Sequence, residues 1–447
     1  MITLGVVFLG RKRPGFDPEW GKQMEQAVRA FLSTTKYEVL IGEQPVSDDA
    51  ALLGTISRFK AADVDVLLVL QPTMSDGRFA PTICQLWQDP VLLWATPEKQ
   101  DYSMISSCSL VGLHAYASTM RQLKQPFEIV YGMPGEKEPT MQLDRAVRLA
   151  YASTRLRRGR VGIIGYHAPG FIDMHADPFL MSERLGMQLW HTGIQDLVDR
   201  MNDICPDRLL TDVEQVLEMG VPFEDLDKSD LPVASRYYLA MSDIIREERL
   251  DVLAVREWPE LPNLVGQWPY LAMVRLLSEE VSVACEGDTD GGISCLIGNL
   301  LGFGAGYLSD WLEHDHETVT LWHAGNGSLD LCDPVGTPNG PRLARHFNNR
   351  KPLVVNAEMK SDQPLTIFRL WHCDNEYMVT SRDAVSVPPK RKLLGTNGLV
   401  KVDGIDVMQW FEALCHAGMP HHVAVFPGHH TNTLRRFAIQ TDMKWIQ

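Results

Sequence analysis

Residues 285–292 read CEGDTDGG, directly after the apolar run VSVA, so three carboxylates, Glu286, Asp288 and Asp290, stand where a buried strand is expected to end. Asp310 follows in GYLSDW, and His323 stands in LWHAGNG ahead of glycines that let a backbone or substrate approach closely. Further on, MPHHVAVFPGHH (419–430) gathers four of the fourteen histidines around one short strand. A Glu, Asp and His set with no cysteine is the oxygen-rich environment that Mn²⁺, Mg²⁺ or Co²⁺ prefers over structural zinc, and two carboxylates neutralise a divalent ion. Alternate residues of a strand share a face, so only one of His421 and His422 is expected to point inward, and periodicity does not say which. The competing structural roles are ordinary: a hydrogen-bonded core histidine, and a Glu286 carboxylate capping the helix expected over ISCLIGNLLGF.

Other chemistries find no support. A Walker A loop, GxSxG and HExxH are absent. GFGAG (302–306) follows an expected helix and lacks the dinucleotide fingerprint, so it reads as close packing or a turn. DTDGG has Ile293 where a calcium loop counted from Asp288 needs glycine, and no closing Glu.

The elements that must position these residues change character along the chain. Up to about residue 300, β-branched runs alternate with amphipathic stretches in the manner of βαβ units. Strands are expected at 3–9, 64–70, 91–95, 160–165, 251–255 and 281–285, and helices at 18–33, 49–62, 141–157, 206–218, 231–248 and 268–280. After 300, strand-like runs such as VTLWHAG, PLVVNAE, PLTIFRLWH and HVAVFPG are joined by turn-rich loops. The expected fold is α/β: two N-terminal Rossmann-like α/β domains with parallel sheets (1–157 and 158–300), then a mainly antiparallel β-barrel domain (301–447) completing the metal site.

Composition agrees with a multidomain globular protein: 447 residues, 45% hydrophobic and 22% charged, too many for one ordinary core. No run approaches the roughly 18 apolar residues of a membrane span, and the chain opens on a strand-like run. The eight cysteines form no CxxC pair, which argues against a thiolate cluster or a disulfide framework and for a reducing cytoplasm. With a net charge of −15 and no basic run longer than PKRK, nucleic acid is excluded as a partner.

The chain resembles the L-fucose isomerase and L-arabinose isomerase superfamily, nearer the fucose branch, over almost its whole length. The likeness runs through LQPTMSDGRFAPTICQLWQDPVLLWATPE (70–98), VGIIGYHAPGFIDMHADPFLMSERLGMQL (161–189), CEGD, LSDW and HHVAVFPGH. YHAPGF departs from the family's IGxRPxGF opening by lacking the arginine, and the chain is shorter than a typical fucose isomerase. The resemblance implies that Glu286, Asp310 and His422 bind a divalent metal, most readily Mn²⁺, with Glu286 and Asp310 also acting as the acid/base pair. It implies substrate contacts from His323, His429 and Arg78, the last within MSDGRFAP (74–81), and no organic cofactor. The implied activity is aldose–ketose isomerisation of a sugar through an enediolate, in a cytoplasmic hexamer that binds neither nucleic acid nor membrane. The alternatives are a metal-dependent lyase or transferase acting on a sulfonated or branched sugar, and a non-catalytic sugar-binding protein on the same scaffold. If His422 faces the metal with Ala424 and Phe426, then His421 faces away, and Asp288 and Asp290 tolerate substitution.

Overall fold

The computed structural model describes residues 1–10, 15–75, 77–101 and 104–447. The chain divides into two compact units, Met1–Arg155 and Leu156–Gln447.

The first unit is built on a five-stranded parallel sheet in the order Glu38–Ile41, Thr3–Phe8, Val66–Gln71, Val91–Ala95, Phe127–Tyr131, the doubly wound order 2-1-3-4-5. Strand alternation sorts the side chains onto its two faces. Leu4, Val6, Phe8, Leu68 and Leu70 pack on helices Pro18–Leu32 and Lys137–Arg157. Val7, Leu67 and Val69 pack on Asp49–Ala61, Phe79–Leu86 and Ser109–Gln122. Asp48 caps Asp49–Ala61 through the N–H of Ala51. Glu38–Ile41 and Phe127–Tyr131 escape sequence reading because, as edge strands, they are half exposed and carry no continuous apolar run. Arg78 is exposed beside the start of helix Phe79–Leu86, and Asp76 lies outside the described residues.

The second unit contains two sheets. A four-stranded parallel sheet runs in the order Gln188–Thr192, Arg160–Ile164, Val252–Val255, Ser282–Ala284. The other closes on itself: strands Thr396–Val402, Thr318–His323, Tyr307–His314, His422–Pro427, Pro364–Cys373 and Glu376–Val387 pair antiparallel in sequence around a ring, and the last returns to the first. The result is a six-stranded barrel filled by Tyr307, Leu321, Ile367, Val400, Val423 and Val425. Two helices expected by neither period nor caps, Val407–His416 and Thr431–Gln440, join or follow its strands.

Helix Thr289–Leu300, buried from Thr289 to Gly298, lies between the parallel sheet and the barrel. Glycines permit both contacts: a Cβ at Gly292 would collide with Val252, and one at Gly298 with Phe426. Gly306 of GFGAG is likewise held against Phe426, while Gly304, at φ 89°, has open space around it and serves the turn. The helix N-terminus therefore arrives where a parallel strand ends and two barrel strands pass.

Candidate active site

Strand Ser282–Ala284 ends, and the chain turns into helix Thr289–Leu300 through two left-handed residues, Glu286 at φ 58° and Gly287 at φ 73°. Gly287 must be glycine because a Cβ would strike the Tyr166 carbonyl. For Glu286 the conformation costs about 1–3 kcal/mol, a strain that surrounding structure must hold and that clusters at functional sites. It swings the Glu286 carboxylate toward the barrel.

There, Asp310 and His422 lie directly opposite one another in antiparallel register, so their side chains share a face. That face is the one with Ala424 and Phe426, while Val423 and Val425 fill the barrel. His422 Nε2 stands 3.5 Å from Glu286 Oε2 and 3.4 Å from Asp310 Oδ1. Of the three residues that the sequence resemblance singled out, both carboxylates thus face His422 Nε2.

What holds them was not anticipated. Asp288, expected to tolerate change, is fully buried and does three things at once. Its Oδ1 accepts the N–H of Gly291 and caps the helix at 2.8 Å, a role that sequence reading had allowed for Glu286. Its carboxylate accepts from both terminal guanidinium nitrogens of the fully buried Arg369, at 2.6 and 3.0 Å. Its Oδ2 accepts His422 Nδ1–H at 2.9 Å, which directs His422 Nε2 at the carboxylates. Asp290 is also buried, with His372 Nδ1 at 2.7 Å. Both aspartates are structural anchors, and the expected tolerance is corrected: nothing in CEGDTDGG distinguishes an anchored carboxylate from a solvated one.

His421 is the second correction. The strand begins at His422, so alternation does not govern the preceding residue. The His421 ring lies 4.6 Å from Phe171, centroid to centroid, and turns its Nε2 to 3.4 Å from Glu286 Oε2 and 3.8 Å from Asp310 Oδ1. Both histidines address the carboxylates.

Two further groups fix Glu286. Trp258 Nε1–H donates to its Oε1 at 3.1 Å, and the Glu286 backbone N–H donates to Glu257 Oε2 at 2.6 Å. Glu257 is fully buried and also accepts from Tyr270 at 3.2 Å. Burial first, and the neighbouring Glu286 charge second, push the Glu257 carboxyl up to about 8. Burial would raise Asp310 too, but His422, His323 and His421 hold it down at about 2. Glu286 is lowered for the same reason, with burial outweighed by His421, His422 and His323. At neutral pH the site therefore presents Glu286 and Asp310 as carboxylates facing histidine rings, of which His422 is raised well above its ordinary value, burial being outweighed by Cys285, Asp288 and Asp310.

This donor set fits a divalent ion. Nitrogen and oxygen atoms each about 2.1 Å from one centre stand roughly 3.0–3.4 Å apart. The 3.4 and 3.5 Å separations between His422 Nε2 and the two carboxylates match that spacing, with His422 Nδ1 already committed to Asp288. Glu286, His421 and His422 place one donor atom each within 4.8 Å of one another, and so do Cys285, His323 and His422.

The site opens on a cavity of about 380 Å³, bordered by Glu286, Asp310 and His323 at its base and by Trp258, Trp268, Tyr270, Trp322, His346 and Phe347 along its walls. That volume falls within the roughly 300–1,000 Å³ of ligand pockets. Asn263, Asn348 and Asn349 supply amides, and among the described residues no Arg or Lys borders it. Trp268 stacks on His346 at 4.2 Å, and burial lowers that imidazole to about 4, so it is neutral. The aromatic wall was missed because its members come from three separated segments with no common period. His429 is not part of this cavity: its Nε2–H donates to the Ala384 carbonyl at 3.1 Å. Arg78 belongs to the first unit.

With this geometry in view, no family model matches the chain. Curated proteins do. The chain is similar to sulfoquinovose isomerases. It is 26% identical over 435 residues to the sulfoquinovose isomerase of Priestia megaterium, covering 97% of this chain and 96% of that protein. The sulfoquinovose isomerase of Alkalicoccus urumqiensis is 26% identical over 331 residues, 73% of this chain and 74% of its own. That of Clostridium sp. is 21% identical over 370 residues, 81% of each. Among the described residues no helix is long and apolar enough to cross a membrane.

Proposed function

We propose that the chain is a metal-dependent aldose–ketose isomerase acting on a sugar through an enediolate, on the scaffold of the L-fucose and L-arabinose isomerase superfamily. The observation that carries this reading is the approach of Glu286 and Asp310, which border a sugar-sized cavity, to the buried His422, in a chain similar over 97% of its length to a protein named as an isomerase.

Isomerisation moves one proton between C1 and C2 and another between their oxygens, and the hard step is taking the carbon-bound proton. Glu286, Asp310 and His422 would hold a divalent ion, which we assign as Mn²⁺, and it would supply positive charge against the negative charge that develops on the substrate oxygens. Glu286 and Asp310 hold and return the protons, and their ionised state suits them to accept one. Trp258 fixes one Glu286 oxygen and leaves Oε2 facing the site. His422 is oriented by Asp288, and its ring completes the donor set. The aromatic wall excludes water from the intermediate and offers apolar faces to sugar C–H groups. Of the substrate contacts, His323 borders the cavity, and His429 and Arg78 remain parts of this reading through the family resemblance alone. The same resemblance supports a cytoplasmic hexamer and the three-domain division at 157 and 300. A monomer on light scattering would remove the assembly from the reading.

The test is proton NMR in D₂O with sulfoquinovose and neutral aldoses, before and after exhaustive chelation. Ketose formation with deuterium entering at carbon is expected, abolished by chelation and restored by Mn²⁺. Cleavage or transfer products would favour a lyase or transferase, and unchanged turnover in metal-free protein would end the metal assignment. Sulfoquinovose leads the panel because the relatives carry its name. The neutral sugars matter because the described cavity wall has no cation for a sulfonate.

Metal content after dialysis tests the two neighbouring histidines. His422→Ala is expected to weaken Mn²⁺ binding by more than about 100-fold, and His421→Ala by about 10–100-fold. Wild-type metal content in His421→Ala would reduce that ring to a packing contact with Phe171.

A further inference from the structure

The donor atoms around His422 form two sets rather than one. On one side lie the carboxylates of Glu286 and Asp310. On the other lies Cys285, one residue before Glu286 and fully buried. Its Sγ is 3.0 Å from His323 Nε2 and 3.9 Å from His422 Nε2. None of the eight cysteines is paired in a CxxC motif. The fold supplies the missing partners instead, from barrel strands 38 and 137 residues further along the chain.

We propose that Cys285, His323 and His422 constitute a second, thiophilic metal site that overlaps the oxygen-rich one through His422, so that Zn²⁺ or Cd²⁺ binds there and displaces the catalytic ion. The displacement rests on the isomerase reading above; the site itself does not.

The geometry suits a soft ion. A sulfur about 2.3 Å and a nitrogen about 2.0 Å from one zinc are roughly 3.5 Å apart in a tetrahedral site, and the two sulfur–nitrogen distances, 3.0 and 3.9 Å, bracket that value. All three donor atoms lie within 4.8 Å of one another. His323 adds an independent sign. It is 3% exposed, and its Nδ1 has no hydrogen-bond partner, so no second contact ties its Nε2 to the role of donor. A tetrahedral ion held by three protein donors keeps one open position, which the adjoining cavity serves, since His323 borders it.

Binding is a simple exchange: the S–H bond breaks, the proton leaves to solvent, and a sulfur–metal bond forms with no change of oxidation state. Ligand softness decides the choice between sets. Thiolate and imidazole favour zinc and cadmium, whereas carboxylate oxygens suit Mn²⁺ and Mg²⁺. Because His422 has one free nitrogen, Nε2, the two sets cannot be filled together.

Cd²⁺ is the probe, read by the ultraviolet thiolate-to-cadmium charge-transfer band, which does not require turnover. Wild-type protein loaded with Mn²⁺ and titrated with Cd²⁺ should gain the band with release of one Mn²⁺. Cys285→Ser should lose that increment, and Cys285→Ala provides a second variant should the serine fold poorly. Both should need at least about tenfold more Cd²⁺ to release Mn²⁺, while Mn²⁺-supported turnover stays near wild type. An increment equal in wild type and both variants would place cadmium on other cysteines and overturn the proposal, as would Mn²⁺ release unaffected by the substitutions. If no sugar is isomerised but the Cys285-dependent band appears, the site stands and the isomerase reading falls.

Discussion

Glu286→Gln and Asp310→Asn are each expected to lower kcat by roughly 10²–10⁴-fold, the contribution of a positioned acid or base, with only a modest loss of stability. The stability half of the expectation follows from the surroundings. Burial opposes the charges on Glu286 and Asp310, but His421, His422 and His323 outweigh it and hold both carboxyls below their ordinary values, so each charge contributes to stability at neutral pH. Neutralising either carboxylate gives up that favourable pairing, while a glutamine at 286 still accepts the Trp258 N–H. Melting at neutral pH should therefore be modestly lower while sugar-dependent deuterium incorporation at carbon collapses. A glutamine variant with near-native turnover would demote Glu286 to a structural residue whose left-handed backbone serves only the turn.

Asp288→Asn should show the reverse balance, a large loss of stability together with weakened metal binding. Asn can still cap helix Thr289–Leu300, so the substitution isolates the charge. What it leaves behind is Arg369, fully buried, with its bidentate carboxylate partner gone. Breaking a buried ion pair from one side costs about 3–5 kcal/mol, which corresponds to a Tm lower by roughly 5–10 °C for a unit of this size. Burial alone would raise the Asp288 carboxyl, but Arg369 and His422 hold it far below its ordinary value. The stabilisation from its charge is then present in full above about pH 4, the unfolded carboxylate range, and is lost as the pH falls toward the depressed folded value. Melting curves of wild type and Asp288→Asn should accordingly lie far apart at neutral pH and draw together in acid. Equal melting temperatures at pH 7 would mean that another group neutralises Arg369. Metal content should fall as well, because His422 loses the partner that fixes its Nδ1–H.

Long buried elements were legible from the sequence because burial on both faces writes continuous apolar runs: Val66–Gln71, Val91–Ala95 and Val252–Val255 were found nearly to the residue. Edge strands such as Gln188–Thr192, half exposed, write no such run. The change of texture near residue 300 announced an antiparallel region, yet closure into a barrel depends on Glu376–Val387 returning to Thr396–Val402, a pairing that no local pattern encodes.

The same division holds at the site. Residue types by themselves pointed to a carboxylate and histidine set suited to a divalent ion and left His421 against His422 open; the family resemblance selected Glu286, Asp310 and His422. Three things were decided by the tertiary structure alone. The register of two barrel strands sets Asp310 opposite His422. The end of that strand frees His421 from alternation, so that it joins rather than avoids the carboxylates. The meeting of Arg369 and His422 on Asp288, and of His323 and His422 on Cys285, makes an anchor of one overlooked residue and a thiol ligand of the other. Each of these contacts joins residues at least 38 positions apart, save for the turn at 421, and a sequence records such partners only as residue types, because distance along the chain carries no information about distance across a folded core.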